Sequence, residues 1–346
     1  MNSNRIVYCD VLKILASIAV VLIHVCSIWW YALDVKSKSW MVINIFDSLC
    51  RWAVPVFLMV SGILLLKPEK DITIKEVFVK YIKKAIVLIA FWEVVFAFAI
   101  QINSSEQLNI TTVINRLVQG HYHLWYLYMI IGIYLVTPII KQIVNGKNEK
   151  VLRYFLALWL VFQILIPTIN NILDIYIKDN LLKVMIPKLE ISVISGYVGY
   201  YVLGYYLNEK KFSKKQRIML YCLGFVSSLM TIFLTKHYEK SQLFYVNFSA
   251  TTFLQSVAVI VFIKEICLKT NITEKLKKNI SKIASLTLGI YVIHPVFIEI
   301  IKSLEVELYP KHIVMLILPI TVGVYFFSMC VTYILSKIPI LGKYIV

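Results

Sequence analysis

The chain has 346 residues, 60% of them hydrophobic and 16% charged, against roughly 45–50% apolar and about 25% charged in soluble globular domains. That balance excludes water as the main solvent and leaves no length for a separate soluble domain. The formal charge of +17 excludes nothing by itself, because basic residues that orient a membrane protein and basic residues that hold nucleic acid give the same total.

A crossing helix takes about 20 mostly apolar residues. Runs of that kind follow one another at 11–31, 41–66, 85–101, 124–140, 152–173, 191–207, 218–235, 248–268, 285–301 and 313–335. The predicted fold is all-α, a polytopic membrane helical bundle of about ten transmembrane helices, forming a single integral-membrane domain over 1–346. With both termini cytoplasmic, 24 of the 36 Lys and Arg, from Arg5 to Lys343, fall in cytoplasmic connectors. The charge therefore reads as an orientation signal, and no nucleic-acid partner is expected. The first run lacks a basic leader and a small-residue cleavage site, so it is read as a retained helix. Cys9, Cys26, Cys50, Cys222, Cys267 and Cys330 are scattered without a CxxC pair, as buried small side chains are.

Titratable residues at membrane depth are costly, and so they usually face the interior and serve a function. The first span carries Asp10, Lys13, Ser17 and His24. At about 100° per residue, the eleven steps from Lys13 to His24 return to within roughly 20° of the same azimuth, and they advance roughly 16 Å. One polar stripe is thus predicted to run from a cytoplasmic mouth to a deep imidazole. The second span holds Arg51 at a depth where it can meet His24, followed by Pro55, which is expected to kink the helix and free a carbonyl. His121, His123, Trp125 and Tyr126 cluster at the outer mouth of the fourth span, His294 lies near the midplane of the ninth with Glu299 further out, and Glu93 is embedded in the third.

Each has a plainer alternative. An intramembrane His can be a packing residue bonded to a carbonyl. Lys13 can snorkel to the surface, and Arg51 can be a structural ion-pair partner of Glu93 or Asp47. His121 and Trp125 fit interfacial anchors, and the Tyr-rich run from Tyr197 to Tyr206 fits packing. No metal site is read, because the histidines lack the i, i+4 partners of a zinc helix. There is no phosphate-cradling Gly-rich loop either.

Several blocks occur in order: Arg5-Ile-Val-Tyr8-Cys-Asp10-Val-Leu-Lys13 with ten residues before His24, Arg51 with Pro55-Val-Phe57 and Ser61-Gly62, His123-Leu-Trp125-Tyr126, and Leu288-Gly289-Ile-Tyr291 with His294. Over most of the chain these resemble the acyltransferase-3 family, multi-span bacterial O-acyltransferases that modify cell-surface glycans. They look most like the compact type that O-acetylates surface-polysaccharide precursors. Family members commonly have Arg where this chain has Lys13, a change that keeps the charge and loses the planar fork.

The resemblance implies a multi-pass protein of the cell (cytoplasmic) membrane that transfers acetyl from cytosolic acetyl-CoA to a hydroxyl of a glycan or a lipid-linked saccharide. Acetyl-CoA or another acyl-CoA is a co-substrate, and no bound cofactor is expected. Partners are the lipid bilayer and the saccharide acceptor, reached directly or by hand-over to an extracytoplasmic partner. An alcohol attacks well only when a base takes its proton, which suits a neutral imidazole. His24 is the expected base and Arg51 the electrostatic stabiliser of the oxyanion. Asp10 and Lys13 are expected to hold the donor, and His123, Trp125 and His294 to orient the acceptor or move its proton. Spacing leaves open whether an acyl-histidine forms. The rival functions are a transporter or flippase of a lipid-linked saccharide, which should show paired repeats, and a non-catalytic scaffold.

Overall fold

The computed structural model describes residues 6–103, 110–146, 148–176, 196–239, 241–304 and 312–344. Each of the ten apolar runs meets a helix. The first is α1 (Val7–Trp30), and the second divides into α2 (Lys38–Ser48) and α3 (Ala53–Leu65). A π-helical turn at Val77–Ile82 leads into α4 (Lys83–Asn103). After a short α5 (Ile110–Gln119), a 3-10 turn at Tyr122–Leu124 opens α6 (Trp125–Asn145). The fifth run is α7 (Glu149–Trp159) and α8 (Ile166–Tyr176), joined through a second π-helical turn. Then come α9 (Val198–Glu209), α10 (Lys214–Tyr238), α11 (Ala250–Lys269), α12 (Glu274–Lys302) and α13 (Ile313–Ser336).

Among the described residues there is no strand, and eight helical stretches are long and apolar enough to cross a membrane. The chain is an all-α, multi-pass bundle. Arg5 and the start of the sixth run, 191–195, lie outside the described residues. Several helices begin where a hydroxyl accepts a hydrogen bond from the first-turn backbone: Ser37 for α2, Ser213 for α10, Ser249 for α11 and Thr273 for α12. These caps satisfy N–H groups that have no partner inside the helix.

The expected kink at Pro55 is corrected by the structure. The second crossing breaks earlier, at residues 49–52, and Pro55 is the third residue of α3. In a first helical turn the missing proline N–H has no intrahelical acceptor to lose, so Pro55 starts the helix instead of bending it. Arg51 sits in the break.

Helix α1 is central and packs against α2, α3, α11, α12 and α13. The tightest apposition is between α3 and α9. A Cβ on Gly62 would lie 1.7 Å from the carbonyl oxygen of Tyr201, and one on Gly204 would lie 2.1 Å from that of Met59. Two glycines facing opposite ways thus let two backbones touch, the small-residue solution for helix packing in lipid. Apolar cores around Val25, Trp29 and Ile290 and around Trp92, Phe96, Leu127 and Ile293 bracket the region where α1, α4, α6 and α12 converge.

Candidate active site

A cavity of about 460 Å³ lies among α1, α3, α4, α6 and α12. Lys13, Lys80 and Lys84 line it where α1, the first π-helical turn and α4 begin. Phe57, Tyr126 and Tyr291 wall it further in. Lys13 Nζ stands 3.8 Å from Asp10 Oδ1, and the Asp10 side chain is buried while that of Lys13 is 28% exposed. A cation placed this way is anchored at its base and open to the cavity. Nearby, the buried Lys141 donates to the carbonyl oxygen of Lys67 at 2.8 Å and to that of Lys70. Main-chain oxygens thereby satisfy its ammonium group and pin the turn after α3.

Past Val20, which lines the cavity, one further turn of α1 presents His24, and here four imidazoles gather. Ring centroids lie 5.0 Å apart for His24 and His294, 5.8 Å for His294 and His123, and 4.6 Å for His123 and His121. Tyr122 stands 5.6 Å from His24. Tyr291, from the cavity wall, donates its hydroxyl to the carbonyl of His123, so the cavity and the imidazoles share a boundary. His294 Nδ1 lies 3.2 Å from the carbonyl oxygen of Ile290. A carbonyl only accepts, so that nitrogen carries the hydrogen and Nε2 carries the lone pair. Nε2 of His294 and Nε2 of His123 are both buried without a hydrogen-bond partner. Leaving a buried polar atom unpaired costs about 1–3 kcal/mol, a cost that native folds concentrate at functional places.

Local conformation explains why His121 joins the cluster. His121 is extended (φ −77°, ψ 133°) immediately before the 3-10 turn that carries His123, and the change of backbone direction there brings the two rings to 4.6 Å. Its ring stacks on Phe96 with centroids 4.1 Å apart, and its backbone N–H donates to Glu93 Oε2 at 2.7 Å. Gly120 before it has φ +72°, and a Cβ there would approach Glu93 Oε1 to 2.9 Å, so both conformation and space call for glycine. Burial lowers the His121 pKa to about 4, which keeps its ring neutral near pH 7.

The predicted site residues thus divide. His24, His123 and His294 come together, and Lys13 with Asp10 stands at the cavity. Arg51 is engaged elsewhere: it pairs with the buried Asp47 and lies 3.9 Å over the ring of Tyr245, while its Nε is buried and unpartnered. Of the two acids considered as its partner, Asp47 is the one it meets, and Glu93 serves the His121 backbone. Trp125 is 40% exposed and faces Tyr197 at 5.7 Å, on the aromatic flank of the cluster. Ser17, 2% exposed, lies 3.1 Å from the Tyr325 hydroxyl of α13. From sequence His121 reads as an interfacial anchor and Lys80 and Lys84 as cytoplasmic connector charges, although the His-x-His spacing carries a signal for His121.

The family model described as an acyltransferase domain matches residues 6–337. No curated protein matches the chain, and no solved structure does.

Proposed function

The chain belongs to the acyltransferase-3 family and is a membrane acyltransferase, and from that premise we propose that it carries acetyl from cytosolic acetyl-CoA to a hydroxyl of a cell-surface glycan or its lipid-linked precursor. The carrying observation is one cavity with three lysines at its rim and, at its inner wall, a tyrosine bonded to a histidine cluster. In this reading the rim faces the cytoplasm of a protein embedded in the cell membrane. Lys13, steadied by Asp10, holds donor phosphate together with Lys80 and Lys84. The acyl thioester reaches inward along Phe57, Tyr126 and Tyr291.

The acceptor hydroxyl enters from the opposite face, guided by Trp125. Its oxygen forms the new bond to the thioester carbonyl carbon as His24, with His294 beside it, accepts the hydroxyl proton. Collapse of the tetrahedral intermediate breaks the carbon–sulfur bond, and the departing thiolate takes up that proton. Ester and free thiol are the products, and the imidazole returns neutral. Arg51, already paired with Asp47 and stacked on Tyr245, takes no part in the chemical step in this reading.

The test is purified protein in liposomes with labelled acetyl-CoA and candidate glycans. His24→Ala should insert normally and lose transfer by at least about 100-fold, the lower range for a positioned base. Undiminished transfer would remove His24 from the mechanism. Movement of unacylated saccharide across the bilayer with no acyl transfer would favour a transporter.

A further inference from the structure

The contact between His121 and His123 has a direction. Their Nδ1 atoms face each other at hydrogen-bond distance, so one carries the hydrogen and the other the lone pair. A neutral imidazole has a single N–H, and the choice therefore decides the far side of each ring. With His121 as donor, His123 carries its own hydrogen on Nε2. With His123 as donor, its Nε2 is bare.

The buried side of the cluster favours the first arrangement. His294 Nε2 is bare, because its Nδ1–H is committed to the Ile290 carbonyl. The His123 and His294 rings stand 5.8 Å apart at 85°, in side chains that are 1% and 0% exposed. Bare nitrogens in two neighbouring buried rings repel, whereas a donor in one and a lone pair in the other attract, and a low-dielectric interior enlarges the difference. An incoming hydroxyl discriminates in the same sense. It needs a donor for its oxygen and an acceptor for its hydrogen, and two bare nitrogens supply only acceptors.

We propose that His121 is a positioning residue that, by donating from Nδ1, holds His123 as its Nε2–H tautomer, so that His123 and the His294–His24 pair offer one donor and one acceptor to the hydroxyl being acylated. The inference rests on the acyl-transfer reading above for its purpose, and on the ring contacts for its geometry. His123 keeps its hydrogen throughout. The O–H bond that breaks gives its proton to the His294–His24 side, and the leaving thiolate recovers it.

Four forms of the full chain test this: wild type, His121→Asn, His121→Phe and His121→Asp. Asparagine places an amide N–H near the Nδ1 position, phenylalanine keeps the stack on Phe96 without a donor, and aspartate offers only an acceptor. Nitrogen NMR of histidine-labelled protein reads the tautomers directly, with His123 assigned by its replacement. Acetyl-CoA hydrolysis, with water as the simplest hydroxyl, reads turnover. His123 should be Nε2–H in wild type and His121→Asn, mixed in His121→Phe and Nδ1–H in His121→Asp. Turnover should stay within about threefold for Asn, fall about tenfold for Phe and fall furthest for Asp, at unchanged KM for acetyl-CoA.

A wild-type His123 protonated on Nδ1 would overturn the proposal, as would equal losses in Asn and Phe. The stated tautomers in a protein that neither hydrolyses nor transfers acetyl would uphold the assignment of His121 and defeat the acyl-transfer reading instead.

Discussion

Lys13 illustrates how one side chain is tuned by its neighbours. Its ammonium group is 3.8 Å from Asp10, beyond an ideal hydrogen bond and close enough to be steered. Its partial exposure leaves its donors available to a ligand in the cavity. A charge-assisted hydrogen bond contributes about 1.5–3 kcal/mol, so Lys13→Ala should raise KM for acetyl-CoA about tenfold or more with a smaller change in kcat. Lys13→Arg, which keeps the charge, should stay within about threefold. Steady-state kinetics on both variants checks this, and identical behaviour would count against a charge role. Arg51 teaches the opposite lesson: its charge is already matched by Asp47 and stacked on Tyr245. Sequence spacing offered both Glu93 and Asp47 and did not distinguish which it meets, because ion pairing depends on the packing of other helices.

At the scale of elements, what was legible followed periodicity within one helix. The eleven-step return from Lys13 to His24 is a property of α1 alone, and the structure places Lys13 at the cavity and His24 beside the cluster. The meeting of His24 with His294 and His123 joins three segments and has no local signature. The break before α3 was displaced in expectation because proline was weighed as an interior residue, whereas its position in the first turn makes it compatible with helix. The glycine contact of α3 with α9 was equally unreadable, since Gly62 and Gly204 signal small size without naming a partner. Filling it has a sharp expected cost. Gly204→Leu puts a side chain into the Met59 backbone, and overpacking of this kind typically costs about 1–3 kcal/mol and at times more. Thermal unfolding in detergent should show a clearly lowered Tm, whereas Gly132→Ala, with nothing within 4 Å of the added carbon, should not.

Over the whole molecule, charge and cavity share an axis. Basic residues crowd the connectors at the end where Lys13, Lys80 and Lys84 line the opening, which fits an anionic soluble donor approaching from the positively charged side. The expected sidedness can be measured: single cysteines introduced at Lys70 and at Lys302 in a chain cleared of its own cysteines should react with an impermeant thiol reagent from opposite sides of the membrane. Labelling of both from one side would dismantle the topology on which the entry routes depend.

The fused backbones of α3 and α9 have a mechanical corollary. Tyr201 of α9 also reaches Thr137 of α6, with 3.1 Å between the hydroxyls, so α3, α9 and α6 are coupled like one rigid jamb. If the chamber widens to admit a bulky guest and narrows around it, the compliance must come from the facing side, where α4 and α12 meet through apolar side chains that slide more easily than main chain locked against main chain.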